Sequence, residues 1–234
     1  MAEYLSLRLI FIVLLLAIGL RGYEWISSAN TPWAPLSLAD PIGSFTLRKI
    51  DTLSDDYALC QSLLENVGRN FSPLPPVEQN ANCGYDNGVA LENGEGMVYS
   101  PAARISCPVA AALVLWERQI LRPAAFKYFG AKVEEVVTYG SYSCRRINNA
   151  NEGNYSEHAT ANAIDIAAFR LSDGRTISVA GHWNSADEKS AFLKEMRSGA
   201  CEVFGTTLSP DYNAAHADHL HLDQARRGGW SFCR

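Results

Sequence analysis

Six cysteines, Cys60, Cys83, Cys107, Cys144, Cys201 and Cys233, are spread along the chain, and no two form a Cys-x-x-Cys pair. That spacing does not suit zinc held by thiolates, whose ligands come in closely spaced pairs. An even number of well-separated cysteines suits disulfides, which persist in an oxidising compartment. The alternative is six free, buried thiols in a reducing one. Three cross-links would staple distant segments into one body, and the spacing leaves their pairing open.

All six follow an apolar run, Leu9 to Leu20, flanked by Arg8 and Arg21. The run matches the core of a signal peptide better than a full membrane span, which needs ~20 residues. Adding Tyr4 to Leu7, with Arg8 snorkelling, makes a short span possible. Residues 1–29 therefore read as a signal anchor or a cleaved signal peptide. As an anchor, residues 4–26 would tie the chain to the inner membrane. Residues 30–54 hold three prolines in NTPWAPLSLADPIGSFTLRKI and look like a linker or strap, leaving residues 55–234 as the folded domain.

The net charge of −5 offers no basic field for phosphates and argues against a nucleic-acid partner. Asn93-Gly94-Glu95-Gly96 lacks the third glycine and the following helix of a phosphate loop.

Helical spacing marks residues 55–66, and a second, broadly apolar helix should run from Pro108 to Ile120 and end at Arg122-Pro123. A third helix fits residues 185–204. Strand character marks residues 89–91, 97–99, 133–143, 163–169, 176–180 and 219–223, with Asp173-Gly174 as a hairpin turn. The expected fold is α+β: a small, mainly antiparallel sheet packed against helices and stapled by disulfides.

Four of the five histidines fall in two short segments, Ser156-Glu157-His158 and His216-Ala217-Asp218-His219-Leu220-His221. On a strand, His219 and His221 project from one face. His158 and Asp165 are seven positions apart, ~10 Å along a continuous helix, so a turn between them is needed if they are to converge. The ordinary reading of His158 is a loop residue, and of Asp165 a turn cap. Beside the His-x-His pair, a metal site with an open fourth position accounts for them better. His182-Trp183 reads as a packed or rim pair.

Ser156-x-His158-x6-Asp165 followed by His219-x-His221 resembles the zinc peptidases related to the D-Ala-D-Ala carboxypeptidases, murein endopeptidases and lysostaphin. More closely, residues 31–234 resemble the extensin-like C-terminal domain family of bacteria. Trp33-Ala-Pro-Leu, Gly140-Ser-Tyr-Ser-Cys144-Arg145, Asn162-Ala-Ile-Asp165 and the two histidine segments carry the likeness. The resemblance implies that His158, Asp165 and His221 bind Zn2+. It implies His219 as general base or transition-state stabiliser, His216 as a helper, and Arg145 as the group near a substrate carboxylate. The ordinary alternatives are packing histidines and a plain salt bridge.

The activity so implied is hydrolysis of peptide or D-amino-acid bonds in the peptidoglycan stems of the periplasm. The alternatives are a non-catalytic, zinc-containing module of the cell envelope and a disulfide-stapled structural protein without metal. Two departures stand out. Those carboxypeptidases commonly have Gly where this chain has Ala161, which implies a different φ in the turn after His158. The Glu that serves as base in some relatives has no evident counterpart.

Overall fold

The stretch that follows Cys107 forms the helix around which the rest of the chain packs. In the computed structural model, residues 8, 10–17, 19, 28–94 and 96–234 are described. Helix α1 (Thr46–Thr52) leads through a short 3-10 turn to α2 (Tyr57–Asn66), where Asp56 caps the first turn by accepting from the Leu59 amide. Then come β1 (Phe71–Pro73), β2 (Val77–Asn80), β3 (Cys83–Tyr85), β4 (Gly88–Leu91), β5 (Val98–Ser100) and β6 (Arg104–Ser106). Strands β1, β4 and β6 form one antiparallel sheet, and β2 and β3 a hairpin.

Every residue of α3 (Cys107–Trp116) is buried. Pro108 lies in its first turn, where a missing N–H leaves no bond unmade. The helix does not stop at Arg122-Pro123 as its sequence suggests. Glu117–Leu121 forms a π-helical turn that runs into α4 (Arg122–Phe129). The wider turn interrupts the i→i−4 ladder just ahead of Pro123, which then sits in a first turn again. Gly130, at φ 62°, closes α4 in the left-handed conformation.

The second half holds β7 (Val133–Gly140), β8 (Ala163–Leu171), β9 (Thr176–Ser178), α5 (Val179–His182), α6 (Glu188–Ala200), β10 (Thr206–Leu208), β11 (Leu220–Asp223) and β12 (Phe232–Cys233). The main sheet has the order β12-β10-β11-β8-β7-β5, with β9 paired to β8. Its pairs are antiparallel except β10 with β12 and β5 with β7. It has seven strands rather than the small sheet expected, because β10 and β12 are too short to leave a periodic signal.

Strand β8 is buried along all but one of its residues. Its Phe169 packs on Trp116 of α3 and Phe192 of α6. Trp116 Nε1 donates to the Met196 carbonyl at 3.0 Å, joining α3 to α6. Thus helices cover one face of the sheet, and the fold is α+β with antiparallel sheets packed against helices. The disulfides are Cys60–Cys107 between α2 and α3, Cys83–Cys144 between the hairpin and the loop after β7, and Cys201–Cys233 between the end of α6 and β12.

Within residues 30–54, Leu38, Ile50 and Leu53 are buried in the core. The membrane anchor expected over residues 4–26 is corrected: among the described residues, no helix is long and apolar enough to cross a membrane. Positions 1–7, 9, 18 and 20–27 of the proposed leader lie outside the described residues.

Candidate metal centre

A local turn closes the seven-residue gap between His158 and Asp165. Ser156 Oγ accepts from the His158 amide at 3.3 Å and caps a 3-10 turn over Glu157–Thr160. Ala161 follows at φ 54°, ψ 18°, and swings the chain into β8. Ala161 thus holds the left-handed conformation that glycine favours. Its carbonyl accepts from the Ser106 amide at 2.8 Å, which locks the turn against the end of β6.

Strand pairing brings in the third member. β11 runs antiparallel to β8 with His221 directly opposite Asp165, so both side chains rise from the same face. His158 Nε2 lies 3.1 Å from Asp165 Oδ2 and 3.1 Å from His221 Nδ1, and His221 Nδ1 lies 2.9 Å from Asp165 Oδ1. All three residues are buried, and their donor atoms converge as a metal site requires. Four ligands around a tetrahedral zinc, with bonds of ~2.0–2.1 Å, sit about 3.3 Å apart. The observed spacing is close to that, and the residues fit such an ion.

The outward nitrogens of both imidazoles are engaged. His158 Nδ1 lies 2.5 Å from the Ser141 carbonyl, so it donates and leaves the Nε2 lone pair facing the cluster. His221 Nε2 lies 2.9 Å from Asp223 Oδ2. Burial would lower the His221 pKa, but hydrogen bonds and charge from Asp165 and Asp223 outweigh it and push it up to about 9. Burial likewise opposes the charge on Asp165. Its bonds to His158 and His221 prevail and hold it well below the usual carboxylate range. The cluster therefore favours a positive charge at its centre.

His219 precedes β11, with Nδ1 2.8 Å from Asp218 Oδ1 and Nε2 3.6 Å from Asp165 Oδ1. Tyr139 meets its ring edge-on, with centroids 5.7 Å apart. His216 stands 5.2 Å from the His219 ring and 5.8 Å from that of His221. Burial, then the neighbouring His219 and His221, lower its pKa to about 4, so it is neutral at pH 7. Arg145 reaches within 3.8 Å of Asp165 Oδ2 and remains one-third exposed. The structure thus gathers all six predicted site residues around one cleft of ≈ 460 Å³. His182 stands apart, with Nδ1 accepting from the Ser178 amide at 3.0 Å, while Trp183 is buried and bonds Asp211 at 2.8 Å.

Sequence reading missed Asp223. The signal was present, because positions 219, 221 and 223 share one face of an extended segment. Ser141 contributes only its backbone carbonyl, for which a sequence carries no signal.

A family model described as extensin-like protein C-terminus matches residues 58–234, and the chain belongs to that family. Comparison with curated proteins and with solved structures returned no match.

Proposed function

We propose that this protein is a zinc-dependent peptidase of the bacterial cell envelope that hydrolyses peptide or D-amino-acid bonds in peptidoglycan stems. The observation that carries this reading is the buried convergence of His158 Nε2, Asp165 and His221 Nδ1 on one point at the base of an open cleft. Three disulfides support an oxidising compartment. A bound zinc would polarise the scissile carbonyl and acidify a water toward neutral pH.

The chain's own groups supply the rest. Asp218 accepts from His219 Nδ1–H, which leaves His219 Nε2 bare to take a proton and later steady the developing oxyanion. His216, neutral at pH 7, can pass that proton onward. Arg145, partly exposed at the cleft, can grip a stem-peptide carboxylate with two N–H groups.

A second reading is a zinc-containing binding module without turnover. It draws on the fact that Asp165 and Asp223 are both engaged by His221, so neither of these carboxylates is free to act as the base. Elemental analysis of the protein and of His221→Ala comes first, with about one zinc expected in the former and none in the latter. Purified muropeptides incubated with zinc-loaded protein and with His219→Ala then separate the readings. A peptidase cleaves them and loses turnover in the variant. A binder leaves them intact with affinity unchanged.

A further inference from the structure

We infer that Asp223 is the positioning residue of this centre: by holding the proton of His221 on Nε2, it keeps Nδ1 bare toward the metal position. The inference rests on the reading of His158, Asp165 and His221 as ligands.

The geometry is specific. Asp223 lies at the end of β11 and is 5% exposed. Its Oδ2 is 2.9 Å from His221 Nε2, and its Oδ1 accepts from the Ala225 amide at 2.9 Å. Both oxygens are tied, one to the imidazole and one to the backbone, so the carboxylate cannot swing aside without breaking a buried bond. Residues 221 and 223 share a strand face, which sets the approach.

Asp165 makes this contact decisive. His221 Nδ1 lies 2.9 Å from Asp165 Oδ1, so the imidazole is flanked by a carboxylate at each nitrogen. A histidine that ligates zinc must be neutral, and a neutral imidazole carries one proton. If it rests on Nδ1, it bonds Asp165 and occupies the face needed for a metal ligand. If it rests on Nε2, it bonds Asp223 and frees that face. With Asp223 removed, the buried Nε2 loses its acceptor, and the Asp165 bond draws the proton to Nδ1. His158 Nε2 also faces Asp165, at 3.1 Å, and there the Ser141 carbonyl holds the proton on Nδ1.

The test uses the full chain with Asp223→Asn and Asp223→Ala. Asparagine keeps the shape and can still accept from the Ala225 amide, so it guards against mere misfolding. Zinc affinity is measured by chelator competition, and the His221 tautomer by nitrogen-15 NMR of the zinc-free protein at a pH where His221 is neutral. We expect affinity to fall about 10- to 100-fold in the variants. The Nε2–H signal of His221 should give way to an Nδ1–H signal in both variants. Wild-type affinity with an unchanged Nε2–H signal in folded Asp223→Asn overturns the inference and leaves the metal centre standing. Absence of zinc from the wild-type protein overturns both together.

Discussion

His221 and Asp165 are register partners across β11 and β8, and their side chains meet at 2.9 Å. The pairing matters because a one-residue slip would turn every side chain of β11 to the opposite face. His221 would then leave the cluster for the packed side of the sheet, while Leu220 and Leu222, both fully buried now, would enter the polar cleft. The hydrophobic residues that alternate with the histidine therefore fix its position.

Removing Asp165 should empty the site. Asp165→Ala deletes the carboxylate that touches both His158 and His221, and on the proposed reading zinc should be absent from the purified variant by elemental analysis. In the wild-type chain, free zinc at ~100 times its dissociation constant should stabilise the fold by about 2.7 kcal/mol. Calorimetry would read this as a rise in Tm that chelation reverses. Asp165→Ala should give one Tm with and without zinc.

Much of this site was legible beforehand. His158, Asp165, His219 and His221 could be read because residue type and spacing are both preserved in a sequence. The turn at Ala161 was not, since alanine seldom holds a left-handed φ and gives no hint of one. The continuation through Pro123 was hidden for a related reason: the π-turn over Glu117–Leu121 leaves no signature in helix propensity. Strands β10 and β12 were too short to show a period, so they became visible only once paired.

Ala161 therefore offers a graded test of the turn. Ala161→Gly relieves a left-handed strain of about 1 kcal/mol and forfeits a buried methyl worth about 0.8 kcal/mol. Denaturant unfolding should find its stability within about 0.5 kcal/mol of wild type. Ala161→Val places a β-branched side chain at φ 54° in a fully buried position and should lose more than about 2 kcal/mol. Its zinc affinity should fall too, because the turn carries His158.

Away from the cleft, Arg69 and Glu117 form a buried ion pair at 3.3 Å, and Tyr99 donates to Glu117 Oε1 at 2.6 Å. Burial, then the Glu117 charge, raises the Tyr99 pKa well above its ordinary value, so the phenol remains a donor at all ordinary pH. Arg69→Met removes one partner of the buried Glu117 carboxylate, which keeps its bond from Tyr99, and is expected to destabilise the fold by about 1–3 kcal/mol. Joined with Glu117→Leu, which removes the carboxylate as well, the combined loss should be smaller than the sum of the two single losses. A double-mutant cycle in urea measures the difference, and simple additivity would count against a coupled pair.

The Cys83–Cys144 bond ties the β2–β3 hairpin to the loop that carries Arg145, the residue next in sequence. That loop also supplies the Ser141 carbonyl to His158. Replacing both cysteines with serine opens a loop of 61 residues, and the chain-entropy treatment puts the loss near 4 kcal/mol. The Cys201–Cys233 bond spans 32 residues and touches none of these groups, so its removal should lower stability by a similar amount. The two variants separate at the site. If Arg145 grips a substrate carboxylate, the first variant should raise KM for muropeptides several-fold, while the second leaves KM unchanged at temperatures where both are folded. Equal KM values in the two would mean that the loop holds Arg145 without its disulfide.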